Sequence, residues 1–268
     1  MKLNEAFSIE FEITPPGPGC GDADCVTALQ ESGLPGDLGH DADGPELRVS
    51  LIKWPDWPKV EAMCAQLRAK GYTASSRTGT HVHFDIRKYI KAQFIESYDY
   101  DGEYLQYLDQ VSTKYGRFLY AWAIFESALY NVCKTSYHRQ EQWARSIRKD
   151  GGAAGYRFYR RFFDGSSSPV SLDELRDVKK CSLWPISNFG SVEVRMHNGT
   201  LNTTRLGAWI ELVQTMLGGA HRFPLDYYDE IRSARPHTRR LPAFRKWMQE
   251  IDPVNAPQFL TVLDKEDA

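Results

Sequence analysis

Three segments of this chain alternate strictly between apolar and chemically reactive residues. In Phe7-Ser-Ile-Glu-Phe-Glu-Ile13, Glu10 and Glu12 share one face while Ile9, Phe11 and Ile13 share the other. In Gly79-Thr-His-Val-His-Phe-Asp-Ile86, His81, His83 and Asp85 oppose Val82, Phe84 and Ile86. In Ser191-Val-Glu-Val-Arg-Met-His197, Glu193, Arg195 and His197 oppose Val192, Val194 and Met196. A period of two is the period of a β-strand, so each segment predicts a strand with one greasy face. A strand that merely met water would carry Thr, Ser or Lys on its polar side. Here the polar sides carry metal- and phosphate-seeking groups, which read as the walls of an active site.

The rest of the chain supplies helices and turns around these strands. Residues 14–44 are rich in Gly, Pro and Asp, with a short helix expected near 26–31. Residues 46–52 alternate as a further strand. Pro58 suits the first turn of a helix that carries Val60, Met63, Cys64 and Leu67 and stops at Gly71. Residues 72–86 are strand material broken by a turn near 77–79. The strongest helical pattern spans 114–138, with Phe118, Leu119, Trp122, Phe125, Leu129 and Val132 as its apolar stripe. Glu126, beside that stripe, reads as a satisfied buried carboxylate or a helix-edge residue. Residues 151–155 form a glycine-rich hinge, and Ser171-Leu-Asp-Glu174 is a capping box. Asn198-Gly199 turns the chain into a helix capped by Thr203 or Thr204, and one more helix is expected over 242–251. Strands and helices do not alternate as βαβ units. The expected class is therefore α+β, with a mainly antiparallel sheet in a single domain over 1–268.

Composition narrows the function classes. The 268 residues are 42% hydrophobic and 25% charged, an ordinary globular balance. A net charge of -2 leaves no global electrostatic footprint for nucleic acid. No stretch approaches the roughly 20 apolar residues of a membrane span, and the N-terminus lacks the apolar run of a signal peptide. The five cysteines are dispersed and odd in number, which predicts a reduced, cytoplasmic protein. Cys20 and Cys25 could form half of a zinc site, but no second pair at ligand spacing accompanies them, so they read as loop thiols.

Paired carboxylates on one strand, a distant carboxylate and a neighbouring arginine suit one task. Hard oxygen ligands hold Mg²⁺, which in turn binds nucleotide phosphates. Arg195, two residues from Glu193, would set its fork beside the metal. Glu10-Phe-Glu12, Gly79-Thr-His-Val-His83 and Val192-Glu-Val-Arg195, followed by His197-Asn-Gly-Thr-Leu201, together resemble the amidoligase family. That family belongs to the carboxylate–amine ligases with a glutamine-synthetase-like fold, which include glutamate–cysteine ligase. The resemblance is strongest over 7–210, and 220–268 is left as an extension of unknown role.

The resemblance implies a curved antiparallel sheet with the active site on one face and helices on the other. It implies that Glu10 and Glu12 each ligate a different metal ion. Glu46 would be the next metal-binding carboxylate, assisted by Asp43 or Asp41. His81 would be a metal ligand, and His83 would lie near the nucleotide phosphates. Glu193 would be a further metal ligand and Arg195 the arginine that stabilises the transferring phosphate. Arg139, Arg145 and Arg148 would be nucleotide-binding candidates in the basic segment after the long helix. The implied cofactors are ATP and Mg²⁺, with Mn²⁺ as a substitute. The implied reaction joins a carboxylate substrate to an amine substrate through an acyl phosphate, releasing ADP and phosphate, and either substrate could be a small molecule, a peptide or a protein. The 151–155 segment would be a mobile cover against water.

Blander and rival readings stand beside this one. Glu193 and Arg195 could be a sheet-surface ion pair, and Glu10 and Glu12 the exposed face of an edge strand. A metal-dependent hydrolase could use His81, His83 and a carboxylate to hold Zn²⁺ or Mn²⁺ and activate water. A non-catalytic protein could bind a peptide or nucleic acid through the aromatic and basic strip at 156–163.

Overall fold

The computed structural model describes residues 6–17, 22–41, 44–87, 113–146, 181–184, 191–233 and 240–265. The readings made for Cys20, Asp43, Arg148 and residues 88–112, 151–155, 156–163 and 171–174 lie outside the described residues.

The strands are β1 (Phe7–Glu12), β2 (Gly36–Asp41), β3 (Gly44–Ile52), β4 (Thr80–Asp85), β5 (Leu183–Trp184) and β6 (Ser191–Val194). They form one open sheet in the order β2-β3-β1-β4-β6-β5, and every neighbouring pair is antiparallel. The fold is α+β, as the missing βαβ alternation predicts. Glu10 lies opposite both Arg48 and His81, Glu12 opposite Glu46, and His83 opposite Glu193. Alternation then does the rest. The odd residues of β1 and the even residues of β4 and β6 all turn to the same side, away from the charged groups.

Eight α-helices are described, some covering that apolar side and others packing on those. They are α1 (Asp22–Ser32), α2 (Trp57–Ala69), α3 (Thr113–Cys133), α4 (Tyr137–Gln142), α5 (Thr203–Gly219), α6 (Leu225–Ser233), α7 (Arg240–Ile251) and α8 (Ala256–Asp264). Ile9, Leu47, Val82 and Val192 of the sheet share one core with Met63 of α2, Trp122 of α3 and Trp209 of α5. Each fully buried side chain of this size contributes about 1.5–3 kcal/mol relative to exposure. Where β1 meets β3, Ser50 and Leu51 together oppose Ser8 in a β-bulge. Leu51 takes a positive φ of 48° there, and its N–H is caught by Ser8 Oγ at 2.9 Å. The extra residue lets Val49 and Ile52, three positions apart, both face the core.

Four expectations change. The helix expected over 114–138 stops at Cys133, because Lys134 adopts a left-handed φ of 51°. Ser136 then caps α4, its Oγ accepting from the Arg139 N–H at 3.2 Å. β2 runs through what reads as loop, since Gly-Asp-Leu-Gly-His-Asp has little strand propensity and relies on pairing with β3. Asn202, rather than Thr203 or Thr204, caps α5. The C-terminal part holds three helices where one was expected, and Phe244, Trp247, Phe259 and Leu260 join the common core. No helix among the described residues is long and apolar enough to cross a membrane.

Candidate metal centre

The polar face of the sheet gathers Glu10 and Glu12 from β1, Glu46 and Arg48 from β3, His81 and His83 from β4, and Glu193 from β6. Arg195, just past β6, fastens Nη1 to Glu193 Oε1 at 2.9 Å. The eight are contributed by strands far apart in sequence, yet all but Arg48 were expected at the site from alternation or from the family resemblance.

His81 is the hub. It is 2% exposed. Its Nδ1 lies 3.2 Å from Glu10 Oε2 and 3.5 Å from Glu193 Oε1. Its Nε2 lies 3.1 Å from Glu12 Oε1 and 2.7 Å from Arg139 Nη2. A guanidinium only donates, so Nε2 is the accepting nitrogen and the ring proton sits on Nδ1, facing Glu10. Burial, then the nearby Arg195, hold the imidazole neutral, with its pKa lowered to about 3. His81 Nε2 and Glu12 Oε1 thus lie side by side, with the Arg139 guanidinium donating to Nε2 and placed near Glu12 Oε2.

Two sets of side chains bring one ligand atom each to within 4.8 Å of one another: Glu10 with His81 and Glu193, and Glu12 with Glu46 and His81. Each set has two carboxylates and one imidazole, a mainly hard donor set that suits Mn²⁺ or Mg²⁺. The residues fit such an ion. The accepting nitrogen of His81 is on the side of Glu12, and a cation held by the Glu12–Glu46 set would take the place of its bond from Arg139.

The field around these carboxylates is uneven. Burial pushes Glu193 above the usual carboxylate range, against the pull of Arg195. Burial and the charge of Glu10 push Glu46 up as well. Burial also acts to raise Glu10, but the hydrogen bonds from His81 and His83 outweigh it and hold the carboxyl well below its usual range. His83 is pulled down by burial but raised overall by Glu10 and Glu193, which flank it. Its Nε2 meets Glu10 Oε1 at 3.2 Å and its Nδ1 meets Ser191 Oγ at 3.1 Å.

Arg139 reaches the centre on the charged side of the sheet. The break after α3 aims it at the sheet, where it is 0% exposed. Its Nε donates to the Arg195 carbonyl at 3.1 Å, and its Nη1 lies 3.7 Å from Glu12 Oε2. The guanidinium lies flat on Gly79, whose own N–H donates to Glu12. From this position Arg139 balances Glu12 and orients His81. Arg145 is half-buried at the end of the segment that pairs with Ser182, and its Nε donates to the Glu141 carbonyl at 3.2 Å. That bond does not bring it to the cluster. His197 also departs from expectation. β6 ends at Val194, and His197 is buried with its ring 6.0 Å from that of Trp209. Glu126 is buried and accepts from Ser182 Oγ at 2.6 Å and Ser146 Oγ at 2.7 Å, so it is a satisfied carboxylate.

Beside the cluster opens a cavity of about 620 Å³, lined among others by Ser8, Glu10, Arg48, His83, Asp85 and Ser191. Arg48 and Ser191 went unnoticed in the sequence. Each lies two residues from a chosen glutamate, so the same period of two points to both. No protein-family model matches this sequence, and no match is found among curated proteins.

Proposed function

We propose that this chain is an ATP-dependent carboxylate–amine ligase that works with Mg²⁺ or Mn²⁺. The observation that carries the reading is the cluster of four glutamates from three strands gathered around the buried His81. Glu12, Glu46 and His81 would hold one cation, and Glu10 and Glu193 would offer a second position. A bound divalent cation supplies positive charge to phosphate oxygens. The protein's own groups complete the surroundings. Arg195 is tied to Glu193 through Nη1, while its buried Nε has no hydrogen-bond partner among the described residues. It therefore retains a donor for an anion beside the metal ligands, where a transferring phosphoryl group develops charge. His83 stands at the cavity wall between Glu10 and Ser191 and belongs to neither ligand set, which suits contact with nucleotide or substrate.

The order of the strand motifs, similar to that of the amidoligase family, supports the same reading. Cys25, Cys64 and Cys133 are buried thiols outside any disulfide, which fits a reducing, cytoplasmic setting. A zinc hydrolase using both histidines fits less well. Each ligand set contains one imidazole, and that imidazole is His81 in both. The test is thermal stability with ATP in the presence and absence of Mg²⁺, followed by ADP release with paired pools of acids and amines. The expected result is a shift with Mg-ATP of about 2.7 kcal/mol at a hundredfold excess over Kd, and ADP release only when acid and amine are both present. A shift with Zn²⁺ alone and none with Mg-ATP would replace the ligase with the hydrolase.

A further inference from the structure

We infer that Arg48 is a positioning residue for the metal ligand Glu46; the inference rests on the metal centre proposed above. Arg48 lies two residues along β3 from Glu46, so both side chains rise from the same face of the sheet. Its Nε and Nη2 both donate to one oxygen of Glu46, Oε2, at 2.9 and 2.6 Å. Oε1 accepts no hydrogen bond among the described residues and is left for a cation. A fork that holds one carboxylate oxygen fixes the rotation of the carboxylate and hence the direction in which the other oxygen points. This is the role that outer groups play around metal ligands, where their loss costs about 10–100-fold in affinity.

Two neighbours hold the fork itself. Asp37 Oδ1 on β2 lies 3.8 Å from Nη1. Gly39, opposite Glu46 on β2, has no side chain, and the guanidinium lies over it. A Cβ at Gly39 would fall 2.6 Å from Nη2 and 2.7 Å from Cζ. The glycine thus makes room for the plane of the arginine, and a methyl group there moves Arg48 without changing any charge.

Positioning and simple charge balance predict opposite signs. If Arg48 only offset negative charge, its removal would leave a more anionic site and tighten cation binding. If it positions Glu46, its removal weakens binding despite the extra negative charge. Mn²⁺ affinity of the full chain, measured by electron paramagnetic resonance of the free ion, separates the two. Arg48→Met is expected to weaken Mn²⁺ binding by about 10–100-fold. Arg48→Lys keeps the charge but loses the fork, and is expected to weaken it as well. Gly39→Ala keeps every charge and is expected to shift affinity in the same direction. Should Arg48→Met fail to fold, the lysine and Gly39→Ala variants decide the matter. Tighter or unchanged Mn²⁺ binding in folded variants would overturn the inference while leaving the metal centre standing. Absence of Mn²⁺ and Mg²⁺ binding by the wild type would overturn the metal centre, and the inference with it.

Discussion

Replacing Gly79 with alanine tests how Arg139 is held against the centre. The added Cβ would come nearer than 3.0 Å to Nη1, Nη2 and Cζ of Arg139. Arg139 is wholly buried, so its guanidinium has no solvent into which to retreat. Moving it breaks the 2.7 Å bond to His81 Nε2 and the 3.1 Å bond to the Arg195 carbonyl. Buried hydrogen bonds from a charged donor are worth about 1.5–3 kcal/mol each, so the loss is about 3–6 kcal/mol. For a chain of this size that lowers Tm by roughly 6–24 °C. The assay is urea unfolding and calorimetry of Gly79→Ala, alone and combined with Arg139→Met. If the clash is with the guanidinium, alanine costs under about 1 kcal/mol once Arg139 is methionine, and the pair is strongly non-additive. Gly116→Ala is the control. Among the described residues nothing lies within 4 Å of its added Cβ, and its place in α3 makes alanine stabilising by about 0.5–1 kcal/mol. A cost for Gly79→Ala that stays the same with and without Arg139 would refute the argument.

Three further outcomes are expected. Burial holds Glu46 and Glu193 above the usual carboxylate range, so a cation must displace their protons; the Tm gain from added Mn²⁺ should grow as pH rises from about 5 to 7, and a gain independent of pH would remove both residues from the ligand sets. Glu126→Leu should leave Ser182 and Ser146 without their acceptor and cost about 1–3 kcal/mol, with Mn²⁺ affinity unchanged; a parallel fall in affinity would mean that Glu126 belongs to the centre. Cys64, its thiol pushed up to about 12 by burial, and the buried Cys25, Cys133 and Cys181 should resist a thiol reagent until the protein unfolds, and rapid native labelling of Cys64 would contradict the packing of α2.

The site face was legible because one rule, alternation, acts at every strand. Glu10, Glu12, His81, His83 and Glu193 follow from it, and the same rule applied one step further reaches Arg48 and Ser191. What sequence withheld came from contacts between distant segments. Gly36–Asp41 is a strand because β3 pairs with it, although two glycines and two aspartates argue locally for a loop. Lys134 ends α3 without glycine or proline, and the Thr135 hydroxyl beside it donates to the Met196 carbonyl at 2.8 Å. That break, invisible to a helical stripe, is what carries Arg139 inward. The period of two also carried His197 too far, since pairing ends at Val194 and the ring turns to Trp209 instead.

The strand order has a consequence for the growing chain on the ribosome. β4 ends at Asp85, but its neighbour β6 begins only at Ser191. At about 5–20 residues per second, that neighbour emerges roughly 5–20 s after β4. Until then Glu10, Glu12 and Glu46 can share a sheet without Glu193 or Arg195 to complete it. Loop closure over such a span costs little more than over a short one, because the entropy grows only with the logarithm of length. The delay is therefore one of arrival. A nascent chain holding crowded glutamates gains most from a divalent cation at that stage, so the proposed metal centre would bear first on how the sheet folds.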